Sequence, residues 1–296
     1  MRKKVNWVLD ADVRDFFGSI SHEWMVKFLQ HRIADRRILR LIQKWLRAGV
    51  SEDGEWSKTE VGTPQGAVIS PLLANVYLHY AFDLWVQHWR KHRASGELIV
   101  VRYADDLVLG FQHRADAERF LHEWGERLQK FGLELHPDKT RLIEFGRFAT
   151  ATRKRRGEGK PETFNFLGFT HICGQSWKHG KFLVLRRTIR RRLLAKLKEV
   201  KQELRMRMHR PLAEVGKWLR SVVQGYFNYH AVPGNLASLQ SFRLEVSKRW
   251  LRALFRRSQK SRVTWKRLAV FVEQWLPTAK ILHPYPTLRF AAKYLR

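Results

Sequence analysis

Residues 100–109 have the sequence VVRYADDLVL, in which two adjacent acids, Asp105 and Asp106, stand between two apolar runs. Apolar runs of this length are typical of buried strands, so the stretch predicts a β-hairpin over residues 98–111. Carboxylates between two buried strands are costly unless a cation offsets their charge. The hairpin is therefore a candidate cation site, although an ordinary polar turn explains the tetrapeptide YADD equally well.

A second pair of acids follows the first apolar run of the chain. Residues 5–9 predict a strand, and Asp10 and Asp12 come at its end. Because side chains alternate along a strand, these two carboxylates share a face. Carboxylates from two strands can hold two Mg²⁺ ions, an arrangement used for in-line phosphoryl transfer.

The remaining patterns divide the chain into an α/β part and a mostly helical part, with a change of character near residues 175–185. Helical periodicity predicts helices that start at Ser21 and continue at 38–46, 68–89, 115–131, 189–204, 212–229, 236–258 and 263–275. Strands are predicted at 133–145 and 163–171, a hairpin at 49–60, and a mobile loop at 147–161.

Positive charge is concentrated in the second half of the chain. Residues 1–150 contain 23 Lys/Arg and 20 Asp/Glu, whereas residues 151–296 contain 34 and 7. The total formal charge is +30. A near-neutral body joined to a strongly basic part predicts a polyanion partner, and nucleic acid is the first candidate. An anionic membrane surface or a solubilising surface explains the charge less well.

Several classes of protein are excluded by composition. Cys173 is the single cysteine, so neither an internal disulfide nor a zinc site built on paired cysteines can form. The basic start is interrupted by acids, which does not fit a signal peptide, and no apolar run approaches the length of a membrane span. We expect a cytoplasmic protein.

Five blocks of sequence resemble, in order, those of group II intron-encoded reverse transcriptases/maturases. They are VLDADVRDFF (8–17), GTPQGAVISPLLANVYL (62–78), VRYADD (101–106), the segment from GLEL to Lys139 and Thr140 (132–140), and FNFLGF (164–169). The resemblance covers residues 5–172. Beyond it, GYFNY (225–229) and Lys260-Ser261 with Trp265 resemble the maturase thumb less decisively.

The resemblance implies a fold and a function. The fold is α/β (α+β): a polymerase palm over residues 1–176, with an antiparallel sheet backed by helices, then an all-α thumb/maturase domain over 177–296. The function is RNA-directed DNA synthesis with Mg²⁺, or Mn²⁺, coupled to binding intron RNA and assisting splicing and mobility. The partners are intron and template RNA, a DNA primer and deoxynucleoside triphosphates.

The resemblance also implies roles for single residues. Asp12, Asp105 and the backbone carbonyl of Val13 would bind metal, Asp106 would complete the catalytic acids, and Asp10 would be a neighbour. Nucleotide contacts would come from Phe17 beneath the sugar, Gln65, Gly66 and Lys139. Phe166, Leu167 and Gly168 would grip the primer. Independently of the resemblance, the basic character of the second half predicts RNA contacts that include Arg186, Arg187, Arg190, Arg191 and Arg192.

Each of the weaker roles has a structural alternative. Phe17 also fits a core aromatic, and Pro64-Gln65-Gly66 fits a plain turn. Lys139 fits a surface lysine, and residues 166–168 fit an apolar core strand.

The sequence departs from the family pattern at three points. Gly18 stands where an acid is usual, and Ala67 stands where glycine is common. The first carboxylate block begins within ten residues of Met1, so we expect the triphosphate-binding fingers region to be missing, in a fragment or in a natural short form.

Two other functions stay open from the sequence. One is a non-catalytic RNA-binding maturase that keeps an inherited site, and missing fingers would favour it. The other is a related palm enzyme from a retroelement or a defence system, which the thumb sequence makes less fitting.

Overall fold

The structure is a computed structural model that describes residues 5–48, 50–52, 55–57, 61–63, 68–176, 180–257 and 264–285. The chain forms two compact units, Met1–Glu162 and Thr163–Arg296. Across the described segments, we find no helix with the length and apolar character that crossing a bilayer requires.

The first unit contains both strands and helices. Its strands are β1 (Trp7–Ala11), β2 (Val50–Glu52), β3 (Glu55–Ser57), β4 (Leu98–Tyr103), β5 (Asp106–Phe111) and β6 (Arg141–Glu144). Its helices are α1 (Phe16–Ser19), α2 (His22–Gln30), α3 (Arg36–Arg47), α4 (Ser70–Leu78), α5 (Leu84–His92), α6 (Arg114–Lys130) and α7 (Ala149–Arg155). A π-helical segment, His79–Asp83, joins α4 to α5.

A four-stranded antiparallel sheet in the order β4-β5-β1-β6 forms the centre of this unit. Leu9 and Leu109 on one face of the sheet belong to the same buried cluster as Tyr77, Trp89 and Trp124 of the helices. Apolar area removed from water in such a cluster contributes about 25 cal/mol per Å². The sheet is thus fixed against its helices on one face, and Asp10, which alternates with Leu9 along β1, lies on the other.

The described residues of the second unit form a small sheet and four helices. Strands β7 (Phe164–Phe166), β8 (Phe169–Gln175) and β9 (Phe182–Thr188) pair in that order, all antiparallel. The helices are α8 (Arg190–Met206), α9 (Leu212–His230), α10 (Leu236–Phe255) and α11 (Trp265–Trp275). Their apolar stripes meet in one cluster in which Leu219, Phe242 and Val246 are fully buried.

The predicted fold class, an antiparallel sheet backed by helices and followed by a helical part, is confirmed. The predicted domain boundary at 176/177 differs from the division between the compact units, which falls between Glu162 and Thr163. The physical reason is strand pairing, because β8 lies before the predicted boundary and bonds to β9 after it. Strand β9 therefore adds sheet to a region that the sequence predicts as all-α.

Three local predictions need correction. The predicted mobile loop at 147–161 contains helix α7, and Arg156 ties its end to Glu144 and Glu158. The predicted strand at 133–145 is reduced to β6, preceded by a single bridge between Val13 and Leu135. The predicted strand at 163–171 is a hairpin that turns at residues 167 and 168.

Candidate active site

The acids of the two carboxylate blocks lie at one end of the central sheet. Ala11 pairs with Leu107, and Tyr103 pairs with Asp106 across the β4–β5 turn. One step beyond the first pair, the antiparallel register places Asp12 beside Asp106, next to the turn that contains Asp105. The structure thus brings both carboxylate blocks to one end of the sheet, as the sequence predicts. We call this end, with Asp12, Asp105 and Asp106, the acid edge.

The turn between β4 and β5 holds a strained residue. Ala104 has φ 53°, in the left-handed region that residues with a Cβ adopt at a cost of roughly 1–2 kcal/mol. Strain of this kind persists only where surrounding contacts impose it, and it is common at functional sites. Asp105, which follows directly, is half-buried.

Electrostatics at the end of β1 shows that the carboxylates are close together. Burial raises the pKa of Asp10, and the charge of Asp12 raises it further, while a 3.1 Å hydrogen bond from Arg141 acts against both effects. Asp12 accepts a 2.7 Å hydrogen bond from the Nζ of Lys139, and this contact raises the pKa of the lysine. Lys139 therefore stays charged next to a predicted metal ligand.

The donor set fits a hard divalent cation. Carboxylate oxygens suit Mg²⁺ and Mn²⁺, and Mg²⁺ is usually held by one or two carboxylates with the remaining ligands from water and substrate phosphates. Among the described residues, no group of three or more His, Cys, Asp or Glu could enclose a metal on its own. A site built on Asp12 and Asp105 and completed by substrate agrees with both observations.

The ion pair between Arg102 and Asp83, on the opposite face of the sheet, is not predicted from the sequence. Arg102 of β4 donates from Nε and Nη2 to the two carboxylate oxygens of Asp83, over 2.9 and 2.6 Å. Its Nη1 donates to Asn75 Oδ1 over 2.8 Å and to the carbonyl of Ala104 over 3.1 Å. One signal was present, since Asp83 is an isolated acid in a long apolar helical pattern and such an acid needs a cation.

The loop that leads into the second sequence block packs against the segment after Asp12. Thr63 donates its backbone N–H to the carbonyl of Phe17, and Gly62 donates to Ile20, each over 2.8 Å. Gly62 has φ 90°, and a Cβ there would lie 2.8 Å from two backbone oxygens, so this approach requires glycine. Gln65 and Gly66 themselves lie outside the described residues.

Phe17 is half-buried, contacts the core and meets Phe16 edge to face at 5.5 Å. This placement is compatible both with a ring beneath a sugar and with a core aromatic, so its role stays a prediction.

In the second unit, the predicted primer-grip residues form the tip of the β7–β8 hairpin. Phe166 pairs with Phe169, and the two turn residues between them, Leu167 and Gly168, have φ 46° and 81°. Tyr229 of α9 donates its hydroxyl to the carbonyl of Leu167 over 2.8 Å. Phe166 thus ends strand β7, and Leu167 and Gly168 form a braced turn and not part of a core strand.

The five predicted RNA-contacting arginines differ in exposure. Arg187, Arg190, Arg191 and Arg192 are exposed, whereas Arg186 is half-buried and burial lowers its pKa. The structure brings one of them to the primer-grip hairpin, because a Cβ at Gly168 would lie 3.1 Å from the Nη1 of Arg192.

A basic groove between α8 and α10 is a further finding of the structure. It encloses about 180 Å³ and is lined by basic side chains together with Leu204, Met208 and Ala253. The basic residues of this groove are Lys201, Arg205, Arg249, Arg252 and Arg256. Four of them are exposed, and Arg249 is tied to Glu245 over 2.5 Å. Their helical spacing is present in the sequence, but which two helices face each other is not.

Carboxylates at the end of an antiparallel sheet, with oxygen donors that suit a hard cation, are the arrangement that the reverse transcriptase resemblance predicts. Residues 1–171 match the model of the family described as "Reverse transcriptase (RNA-dependent DNA polymerase)". This match spans more than half of the chain, so the chain belongs to the reverse transcriptase family.

Curated relatives include proteins encoded by group II introns, which confirms the resemblance found in the sequence. The group II intron-encoded protein LtrA of Lactococcus lactis subsp. cremoris is 34% identical over 137 residues, which cover 46% of this chain and 22% of LtrA. Protein YkfC of Escherichia coli (strain K12) is 30% identical over 188 residues, which cover 51% of this chain and 49% of YkfC. The matched region thus spans half or less of these relatives.

The solved structure of apo telomerase from Candida tropicalis aligns with 97% of this chain and 44% of its own, at 13% identity and a TM-score of 0.47.

Proposed function

We propose that this chain is the palm and thumb of a group II intron reverse transcriptase/maturase, an enzyme that copies RNA into DNA and binds intron RNA. The observation that carries the proposal is the shared sheet edge of Asp12, Asp105 and Asp106, in a chain of the reverse transcriptase family. Its activity, substrates and partners are inferred from this site and from the basic surface of the second unit.

The reaction is attack of a primer 3′-oxygen on the α-phosphorus of a deoxynucleoside triphosphate. A phosphodiester bond forms, the bond to pyrophosphate breaks, and the 3′-hydroxyl loses its proton. Asp12 and Asp105 would hold a divalent metal, whose charge would stabilise the developing negative oxygens. The contribution of the chain is to hold these carboxylates on a rigid sheet edge, since positioning accounts for much of such catalysis.

Lys139 has two partners in this proposal. Its Nζ is within 2.7 Å of Asp12, and its side chain is 62% exposed, so it can also reach solvent and ligands. A charged amine beside the acid edge can donate to a phosphate oxygen, or pass a proton to pyrophosphate as it leaves. The contact with Asp12 raises the pKa of Lys139, which favours the charged form that donates to a phosphate oxygen.

The second unit supports RNA binding through an excess of exposed cations. Its sequence contains 29 Lys/Arg and 5 Asp/Glu. Five of these cations line the groove between α8 and α10, and several cations close together can contact successive phosphates of one strand. We propose that this groove and the exposed arginines at the start of α8 bind RNA.

The test is primer extension on an RNA template with Mg²⁺, comparing the wild-type chain with Asp105→Asn. The amide keeps the shape of the carboxylate but loses its charge, so the rate should fall by at least about 10³-fold, since several kcal/mol of electrostatic stabilisation are lost. RNA affinity should stay at the wild-type value.

The matched control is Glu126→Gln, which neutralises an exposed carboxylate on α6 without approaching the sheet edge. Extension by Asp105→Asn at the control rate would remove Asp105 from the site. A wild-type chain that binds RNA but extends no primer would favour the non-catalytic maturase instead.

A further inference from the structure

Arg102 of β4 contacts Asn75 of α4, Asp83 of the π-helical segment and the turn between β4 and β5. Arg102 lies in β4 two residues before Ala104 and pairs with Leu107, a residue of the helix-facing cluster. Its guanidinium therefore lies on the face opposite Asp10, where it meets Asp83 and Asn75. Arg102 thus supports the acid edge from the helix-facing side of the sheet, opposite the face on which Asp10 lies.

The ion pair between Arg102 and Asp83 requires a guanidinium group in one orientation. Both oxygens of Asp83 receive a bond from Arg102, and the Arg102 and Asp83 side chains are only 16% and 25% exposed. A planar guanidinium makes these two parallel bonds and still has Nη1 free to donate elsewhere, which an ammonium group cannot do. Asn75 is itself oriented, because its amide donates to the carbonyl of Pro71 over 2.9 Å.

The position of Asp83 depends on the π-helical segment. Asp83 is the last of its five residues, and the backbone N–H of Leu84 donates to His79 five residues back. A π turn contains an extra residue and so re-aims the side chains that follow it, and such turns are frequent at functional sites. Here the re-aimed residue is the carboxylate that receives Arg102.

The remaining bond of Arg102 reaches the strained turn. Nη1 donates to the carbonyl of Ala104, and that carbonyl belongs to the same peptide plane as the N–H of Asp105. Ala104 is in the left-handed region, so its peptide orientation needs an external contact to hold it. Fixing this plane fixes the direction in which Asp105 leaves the turn.

We propose that Arg102, held by Asp83 and Asn75, is a positioning residue that orients Asp105 for metal binding through the Ala104–Asp105 peptide. The expected effect of Arg102 on the reaction rate rests on the proposed polymerase function, whereas its expected effect on metal affinity does not. This role makes the π-helical segment a support for the acid edge.

The experiment uses the full chain with Arg102→Lys and Asp83→Asn, and measures Mn²⁺ affinity without nucleotide or RNA by electron paramagnetic resonance of free Mn²⁺. Both variants should bind Mn²⁺ several-fold more weakly. In single-nucleotide extension, kcat should fall on the order of 10²-fold, because small misplacements of reacting groups cost this much. Nucleotide KM and RNA Kd should remain near wild type, and excess Mn²⁺ should partly restore Arg102→Lys but not Asp105→Asn.

The matched control is Arg127→Lys. Arg127 is also half-buried and donates to the same π-helical segment, at the carbonyls of Ala81 and Tyr80 over 2.6 and 3.0 Å, but it has no bond to the turn. If Arg127→Lys lowers kcat and Mn²⁺ affinity as much as Arg102→Lys, the loss does not depend on the bond from Arg102 to the Ala104 carbonyl, and the proposal fails. Mn²⁺ affinity equal in wild type and Arg102→Lys overturns it as well. A wild type that binds Mn²⁺ but extends no primer contradicts the polymerase function alone, and the Mn²⁺ comparison still decides the role of Arg102.

Discussion

Charge is used differently in the two compact units. Residues 1–162 contain 28 Lys/Arg and 22 Asp/Glu, and residues 163–296 contain 29 and 5. In the first unit the informative charges are half-buried and have a specific partner, as with Arg102 and Asp83. In the second unit all five acids are already in ion pairs on its own helices, at Glu199, Glu203, Glu214, Glu245 and Glu273.

The difference has a physical consequence. Desolvated, hydrogen-bonded charges act over a few ångströms and depend on geometry, whereas exposed charges act as a field that salt screens. The first unit should therefore be sensitive to single conservative substitutions near the acid edge. The second should be sensitive to ionic strength and to the number of cations.

The largest expected effect is on RNA binding by the whole chain as salt increases. If the second unit contacts about 6–10 phosphates, affinity should fall by on the order of 10³–10⁵ between 50 and 200 mM salt. Arg205 and Arg252 of the groove have no ion pair with any residue that the structure describes, and removing both with Arg205→Gln and Arg252→Gln should make the slope of log K against log salt shallower by about 1–2. Filter binding or fluorescence anisotropy over a salt series measures this slope.

The control removes the same number of charges from the first unit. Lys27→Gln and Arg114→Gln each delete an exposed cation that already pairs with a glutamate, at Glu23 and Glu118. This double variant should keep the wild-type slope. Equal slopes for the two double variants would mean that total charge, and not the groove, determines RNA affinity.

A medium effect is expected from pH, and it should fall on the second unit. Burial, together with a nearby arginine charge, lowers the pKa of His171 and of His230 to about 4, from an ordinary value of 6.5. His171 stacks on Phe164 at 4.7 Å, and His230 lies 4.2 Å from the ring of Tyr226. The folded unit therefore keeps both rings neutral at a pH where the unfolded chain protonates them.

The sign of the effect follows from these directions. Because the folded pKa is lower than the unfolded one, protons bind the unfolded chain first, and stability falls as pH decreases from 7 to 5. Allowing for partial exposure of both rings, the second unit should lose about 2 kcal/mol over this range. Urea unfolding of the chain, followed by tryptophan fluorescence to which the buried Trp250 of α10 contributes, measures the change.

His171→Gln should remove part of this pH dependence, since it deletes one of the two groups. His122→Gln, which changes a largely exposed ring on α6 of the first unit, should leave the dependence as it is in wild type. Identical pH profiles for wild type and His171→Gln would show that this ring does not carry the effect.

The sequence predicted most of the elements because their periodicity is strong and local. Ser21 begins α2 as expected and accepts a hydrogen bond from Trp24, and the apolar stripes of α8 to α10 are buried as their spacing indicates. The sheet edge of Asp12 and Asp105 was predicted because acids at the ends of apolar runs are rare and costly. These features depend on neighbours in the sequence.

The features that were missed depend on pairing between distant residues. Arg102 and Asp83 are 19 residues apart, and Lys139 and Asp12 are 127 apart, and nothing in either local pattern specifies the partner. Residues 147–161 predict a loop because Arg- and Gly-rich sequence is weakly periodic, and the ion pair between Arg156, which follows α7, and Glu144 is a tertiary contact. The division at 162/163 differs for the same reason, since β8 and β9 pair across the predicted boundary.

The smallest expected effect compares one glycine from each unit. Gly168 and Gly157 have φ 81° and 72°, so alanine at either position pays for a left-handed backbone at roughly 1 kcal/mol. A Cβ at Gly157 has nothing within 4 Å, whereas at Gly168 it would lie 3.1 Å from Arg192 and 3.5 Å from Tyr229. Tyr229 also bonds to Leu167, so the hairpin tip has little room to move away. We therefore expect Gly168→Ala to destabilise the second unit by about 1 kcal/mol more than Gly157→Ala destabilises the first, with overpacking as the additional cost. Thermal unfolding of the two variants measures the difference. Equal losses would mean that Arg192 moves aside freely, and the hairpin tip would then be held by Tyr229 alone.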